Sequence, residues 1–380
     1  MSKHLKNSQI GLVLGIANIF AVFLQPAVAE FADTQKISMK DLILILVGAA
    51  GVLAVSLCFM SNYFIVLSVL FILELIVLFV LQPLVNSLGM QLINKGISIN
   101  FGLARGMGSM AYAICSVLLG VLVENVGGDS LPVVSVGLYI ALGIVIYTFT
   151  NKPFSHAESE ITHSESVQVA KEAKSGYMNN LFSFFLQNKK FAALMVAVSL
   201  TFCSHSMISN YLIQITENVG GTAKDMGIAT GIAAAIELPA MIIFGFYVKK
   251  IRCSSILKLS LFFFMVKIAI TMLANNVWML YVAQLFQFSS YALFIPASVY
   301  YVNEIIEKDD LAKGQAFMTS AITLGGVGAS LIGGWLLDDS GVGRMLFVGL
   351  IAAALGFIIG LYSIERVEIK EYSSDKSSSQ

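Results

Sequence analysis

Long apolar runs separated by short polar breaks dominate the chain from residue 9 to residue 363. A helix that crosses a bilayer needs about 20 mostly apolar residues. Eleven segments meet that length: 9–30, 41–60, 63–86, 101–123, 131–150, 191–213, 223–248, 254–274, 277–302, 314–337 and 343–363. The longest polar interruption, 151–190, is rich in Ser, Glu, Lys and His and predicts a surface linker between two groups of helices. The tail 366–380 ends in Ser-Ser-Asp-Lys-Ser-Ser-Ser-Gln, a composition that predicts disorder. The resulting division is a first membrane unit at 1–150, the linker at 151–190, a second membrane unit at 191–365 and the tail.

Composition strengthens the membrane reading. Hydrophobic residues make up 57% of the 380 and charged residues 12%, against about 25% charged in an ordinary soluble chain. Lipid must therefore solvate much of the surface. Zero formal net charge gives no sign of a nucleic-acid partner. The four cysteines, Cys58, Cys115, Cys203 and Cys253, are widely spaced and form no C-x-x-C pair, so they read as small buried hydrophobes. The sequence contains no nucleophile triad, metal-ligand cluster or cofactor fingerprint, and an enzyme is not indicated.

Basic residues orient the helices. Lys36, Lys95, Lys152, Lys249, Arg252, Lys308 and Arg366 all fall on one side of the span map, while the opposite loops after the second segment hold only Lys224 and Arg344. That asymmetry places the linker and the C-terminus in the cytoplasm.

The two halves also repeat. Pro26 and Pro239 are 213 residues apart, as are Lys36 and Lys249, and Pro83 and Pro296, while Gly120 and Gly334 are 214 apart. One offset at separated places argues for a duplicated bundle, the construction of many secondary transporters. The second half shows six spans and the first shows five, because the counterpart of 191–213 would fall before Met1. The expectation is a two-bundle protein lacking the first helix of its first bundle. Lys3, Lys6, the apolar run 10–24 and Ala27-Val28-Ala29 also mimic a secretory signal; the repeat match at Pro26 and Lys36 favours a membrane helix.

Ionisable groups inside a span cost roughly 2.5–3.5 kcal/mol at the bilayer centre, and persist when paired, wet or functional. Glu74, Arg105, Glu237 and Lys267 are such groups. Glu237 and Lys267 are expected to pair, either as a static strut or as a partnership that Glu237 exchanges for solute or a proton. Arg105 and Tyr112 lie seven residues apart on one helix face, a donor fork beside an aromatic ring; the alternative is that Arg105 reaches the nearby interface. Glu74 overlies Gln287 at the repeat offset, so both are expected at a central cavity, with burial of a neutral carboxyl as the other reading of Glu74. Gln284, Gln287 and Tyr291 share a face, as do Ser199, Cys203, Ser206 and Asn210, whereas His205 lies off that stripe and reads as packed. Gly325-Gly326-Val327-Gly328 reads as a helix-packing surface, since no lysine follows it and no strand precedes it.

Two bundles, a central linker and basic turns at Lys36 and Lys249-Lys250 resemble the major facilitator superfamily. The turn Glu30 to Lys36 is similar to that superfamily's signature loop without its usual glycines and arginines, and the resemblance makes Asp33 and Lys36 gating-loop residues. Phe101-Gly102-Leu103-Ala104-Arg105-Gly106-Met107-Gly108-Ser109-Met110-Ala111-Tyr112 looks like the fifth-helix signature of oligosaccharide–proton symporters related to lactose permease. The resemblance implies that Arg105 hydrogen-bonds sugar hydroxyls, that Tyr112 stacks on the sugar ring and that Glu237 binds sugar. Lys267 stands where the family has an arginine, and Asn86 where it has the carboxylate partner of the fifth-helix arginine. Gln287 and Ser290 stand where the family has its proton-coupling histidine and glutamate, and neither exchanges a proton near neutral pH. The implied protein is an all-α integral membrane carrier of the major facilitator type, monomeric, without cofactor, in the cytoplasmic membrane. It imports a sugar-like solute with a proton or sodium ion by alternating access. An efflux carrier for amphipathic compounds on the same fold, and a non-transporting sensor or inactive remnant, are the competing readings.

Overall fold

The computed structural model describes residues 6–34, 38–59, 64–94, 101–150, 188–247, 250–306 and 311–366. Among these residues every regular element is a helix. Hydrocarbon offers no partner to a backbone N–H or C=O, so a spanning segment must satisfy them internally, and a helix does so within one segment.

The first half consists of α1 (Asn7–Thr34), α2 (Met39–Phe59), α3 (Phe64–Asn94), α4 (Phe101–Val126) and α5 (Leu131–Thr150). The second half consists of α6 (Lys189–Asn210), the short α7 (Leu212–Asn218), α8 (Ala223–Tyr247), α9 (Cys253–Leu273), α10 (Val277–Leu285), α11 (Leu293–Ile305) and α12 (Leu311–Ser363). Each of the eleven expected spans has its helix. The expected spans 314–337 and 343–363 are continuous in α12 except at Gly341, where φ 79° and ψ −179° break the helical path. A left-handed φ there suits only a residue without Cβ. The expected span 277–302 is not one regular helix, because a π-turn at Phe288–Ala292 separates α10 from α11.

Polar residues at the breaks start the helices. Ser38 Oγ accepts from Asp41 N at 3.1 Å and donates to Asp41 Oδ2 at 2.7 Å, opening α2. Thr222 N donates to Asp225 Oδ2 at 2.9 Å before α8, and Asn276 Oδ1 accepts from Met279 N at 3.0 Å before α10. Each arrangement satisfies a first-turn N–H that the helix itself leaves open.

The second half holds two apolar cores. One gathers Phe202, Leu257, Leu261, Phe264, Phe294 and Tyr301, the other Met207, Ile208, Tyr211, Ile268, Leu280 and Met345. A smaller core in the first half gathers Leu42, Ile43, Val47, Val80, Leu81 and Leu84 between α2 and α3.

The halves meet along two helix pairs, α1 with α12 and α4 with α8. Glycine makes both seams possible. A Cβ on Gly11 would lie 2.0 Å from Ser330 O, and one on Gly334 would lie 2.5 Å from Asn7 O. A Cβ on Gly120 would lie 2.8 Å from Ala223 O, and one on Gly227 would lie 2.4 Å from Ser116 O. In a bilayer, where apolar surface gives no drive to associate, such backbone approach is a main source of helix–helix attraction. These contacts lie where α1 and α8 begin and α4 finishes, so that end of the molecule is sealed. Thr150 and Lys189, which flank the expected linker, lie at the opposite end by chain direction. The linker itself and the tail fall on residues 151–187 and 367–380, outside the described residues.

Candidate functional site

At the α4–α8 seam, four polar side chains from four elements form one hydrogen-bonded chain. Lys267, on α9, is only 2% exposed, and its Nζ donates to Gln287 Oε1 at 2.6 Å. Gln287, 6% exposed at the start of the π-turn, donates from Nε2 to Glu237 Oε1 at 3.2 Å. Ser109 Oγ of α4 donates to the other oxygen, Glu237 Oε2, at 3.4 Å. The chain thus begins in the interior of the second half and ends on the first.

The residue types explain this order. An ammonium only donates and a carboxylate only accepts, so the group between them must do both. A glutamine side chain turns its carbonyl to Lys267 and its amide to Glu237. The expected Glu237–Lys267 ion pair is therefore indirect: Gln287 stands between the two charges and satisfies both. A buried charge is costly without such partners.

Local backbone features surround the site. Pro239 lies inside α8, two residues beyond Glu237, where it lacks an N–H for the helical ladder. In the π-turn, Ala292 N donates to Gln287 O at 3.0 Å, an i→i+5 bond that widens the helix. Such single turns are frequent at functional sites. The wide turn also divides the face expected to carry Gln284, Gln287 and Tyr291. Gln287 joins the chain to Glu237. Tyr291 stacks on His205 with ring centroids 5.2 Å apart, and Gln284 is buried with Nε2 unpartnered among the described residues.

Other expected residues lie elsewhere. Glu74 is buried on α3, where its Oε1 accepts from the Tyr139 hydroxyl of α5 at 2.9 Å, so it pairs within the first half rather than with Gln287. Tyr112 lies on α4 with 61% of its surface exposed, while Gly106, Ser109 and Gly120 of the same helix face α8. Ser290 is buried and donates back to Phe286 O at 2.7 Å. Arg105, Asn86 and Asp33 fall on α4, α3 and α1, but their side chains lie outside the described residues, as does all of Lys36.

The polar stripe of α6 faces α12 at two of its residues. Ser199 Oγ donates to Ala321 O at 3.0 Å and Asn210 Nδ2 to Ser330 Oγ at 3.0 Å, both on α12. A Cβ on Gly325 would come within 2.5 Å of Ser199 O, so the glycine run of α12 is a packing surface against α6. His205 packs among Phe202, Phe264 and Tyr291.

Sequence reasoning alone misses Ser109 and Tyr139. Ser109 sits in the fifth-helix motif, one turn after Arg105, and its position on the glycine face of α4 is the available signal. Tyr139 carries no comparable signal.

Apolar helices, glycine seams between two halves and a buried polar chain crossing one seam define a membrane transporter of the major facilitator type. The chain belongs to the MFS_1 like family, whose model matches residues 1–348. It is similar to the uncharacterized transporter YwbF of Bacillus subtilis (strain 168), with 23% identity over 370 residues that cover 95% of this chain and 86% of that protein. Its fold is similar to that of the nucleoside transporter NupG. The crystal structure of a point mutant of NupG superposes with TM-score 0.75 at 14% identity, covering 94% of this chain and 90% of that one. A second NupG structure gives TM-score 0.73 with the same identity and coverage.

Proposed function

We propose that this transporter is a secondary active carrier of a small, neutral, hydroxyl-rich solute, a sugar or a sugar-bearing molecule, moved by alternating access with a coupling cation. The observation that carries this reading is the polar chain from Lys267 through Gln287 and Glu237 to Ser109. A half-buried carboxylate thus lies where α8 meets α4, and the units 1–150 and 191–365 are the two bodies proposed to rock. Glu237 accepts hydroxyl hydrogens as readily as it accepts from Ser109, whose 3.4 Å bond is long and easily exchanged. A solute bridging Glu237 and the first half would stabilise the state in which both units close on it. Arg105, Asn86 and Tyr112 are the first-half groups assigned to the same solute by family resemblance.

Glu237 is also the group proposed to take up the coupling proton, because Gln287 and Ser290 have no proton to exchange near neutral pH. Glu74, paired with Tyr139, is the second carboxyl available for a cation. Asp33, towards the end of α1 opposite the glycine seams, is a proposed gating residue, as is Lys36 by family resemblance. That end is proposed to face the cytoplasm, from the side on which basic residues accumulate. The likeness in fold to a nucleoside transporter supports including nucleosides, whose ribose is itself a polyol, in the solute class.

The test is uptake into proteoliposomes by the full chain, offered radiolabelled hexoses, disaccharides and nucleosides under an imposed proton or sodium gradient. Saturable accumulation of one of these classes, lost when the gradient is collapsed, is the expected result. Extrusion of a lipophilic cationic dye without uptake of any polyol would establish the efflux reading instead.

A further inference from the structure

The first turn of α1 is capped from the other half of the molecule. Asp338, near the end of the first span of α12, accepts from Asn7 N at 2.9 Å and from Asn7 Nδ2 at 3.0 Å through Oδ1. Its Oδ2 accepts from Ser8 N at 2.8 Å. Gln214 of α7 donates from Nε2 to Asn7 Oδ1 at 2.9 Å, so a second element of the same half holds the same turn.

A helix leaves its first four N–H groups without partners in its own ladder. In α1, Gln9 N and Ile10 N donate to Lys6 O, while Asn7 N and Ser8 N go to Asp338. Two of these donors are thus satisfied only while α1 and α12 remain together. The carboxylate also lies at the positive end of the helix dipole, where negative charge is favoured.

At the same end of the other seam, the first turn of α8 is held from within its own half. The first turn of α8 is capped by Asp225 of α8 itself, through Thr222 N at 2.9 Å, and Asp225 Oδ1 accepts from Tyr281 of the same half at 2.8 Å. Glu124 stands at the position equivalent to Asp338 by the repeat and is exposed. This end of one seam therefore closes by glycine packing, and the same end of the other by glycine packing plus a carboxylate that reaches across it.

We propose that Asp338 is the latch of the sealed end, a gating residue that sets how often this end opens during the cycle. Opening separates α1 from α12, breaks three hydrogen bonds to one carboxylate and leaves Asn7 N and Ser8 N to water. Closing restores them. Because the site lies at the exposed mouth of the seam, water offsets much of the loss, and the latch biases the equilibrium without locking it. The role is independent of which solute is carried.

The test is a distance measurement across the sealed end on the full chain in lipid nanodiscs. Spin labels go on Glu124→Cys of α4 and Asn275→Cys in the second half, with Cys58, Cys115, Cys203 and Cys253 replaced by alanine. Asp338→Asn keeps the side-chain shape, and we expect it to raise the long-distance population about tenfold, the order of effect of losing one charge-assisted bond net of water. Asn7→Asp, which sets a second carboxylate against Asp338, shifts the population the same way and serves if Asp338→Asn does not fold. Asp225→Asn removes the within-half cap and leaves the distances unchanged. If Asp338→Asn and Asn7→Asp lower the thermal midpoint as Asp225→Asn does, with no gain in the long distance, Asp338 is a helix cap only and the latch is overturned.

Discussion

Replacing Gln287 with leucine exposes the energetics of the buried chain most directly. The change removes the acceptor 2.6 Å from Lys267 Nζ and the donor 3.2 Å from Glu237, while keeping a side chain of similar volume. Hydrogen bonds between membrane helices average only about 0.6 kcal/mol and reach about 1.7 kcal/mol. The bond to Lys267 is of another kind, because the ammonium is 2% exposed and removing its partner strands a charge. Breaking buried charged partnerships costs about 3–5 kcal/mol where water cannot enter. Partial relaxation of the long lysine side chain reduces this to roughly 2–4 kcal/mol. At about 2–4 °C per kcal/mol for a unit of this size, Gln287→Leu should lower the thermal midpoint in detergent by roughly 4–16 °C.

The decisive comparison is the double variant. Lys267→Met removes the charge and leaves an apolar stem among apolar neighbours, so Gln287→Leu combined with Lys267→Met should recover at least half of the loss. The four proteins form a thermodynamic cycle, and a coupling above about 1 kcal/mol is expected for groups in contact. Additive losses, with the double variant less stable than either single one, would show that Lys267 does not depend on Gln287.

Two further predictions follow from packing and pairing. Gly227→Val drives a Cβ to within 2.4 Å of Ser116 O, so it should destabilise the protein by about 1–3 kcal/mol; Gly143→Ala, which meets nothing within 4 Å, should leave the thermal midpoint unchanged. Tyr139→Phe removes the described hydrogen bond to buried Glu74, at a cost of about 1–3 kcal/mol, and the Glu74→Leu, Tyr139→Phe double variant should be more stable than Tyr139→Phe alone in the same melt.

The spans were legible because a bilayer imposes their length and forbids unpaired backbone within it. Pattern also marked the glycine run of α12 as a packing surface and marked Glu237, Lys267 and Gln287 as residues with a reason to be inside. It did not reveal how they connect. Helices that are apolar on most faces carry little periodic signal for which side meets which neighbour. The interposition of Gln287 depends on the crossing of α8, α9 and the π-turn, and a π-turn shifts the phase of every later residue without a mark in composition. Of the two readings of Glu74, the structure shows the buried carboxyl: the repeat offset aligned it with Gln287, but its partner is Tyr139. Asp338 was hidden differently, since its partners Asn7 and Ser8 are more than 300 residues away in sequence and act mainly through backbone N–H groups.

Solute is proposed to bind where Glu237 and Ser109 face each other across the two halves. Ser109→Cys, in a background without the native cysteines, places a thiol at that point, and its alkylation by a small maleimide can be timed with and without the polyol that the uptake panel identifies. Saturating solute should slow labelling severalfold, at concentrations matching those that saturate transport. Labelling at the same rate with and without solute, in a variant that still transports, would move the binding site elsewhere.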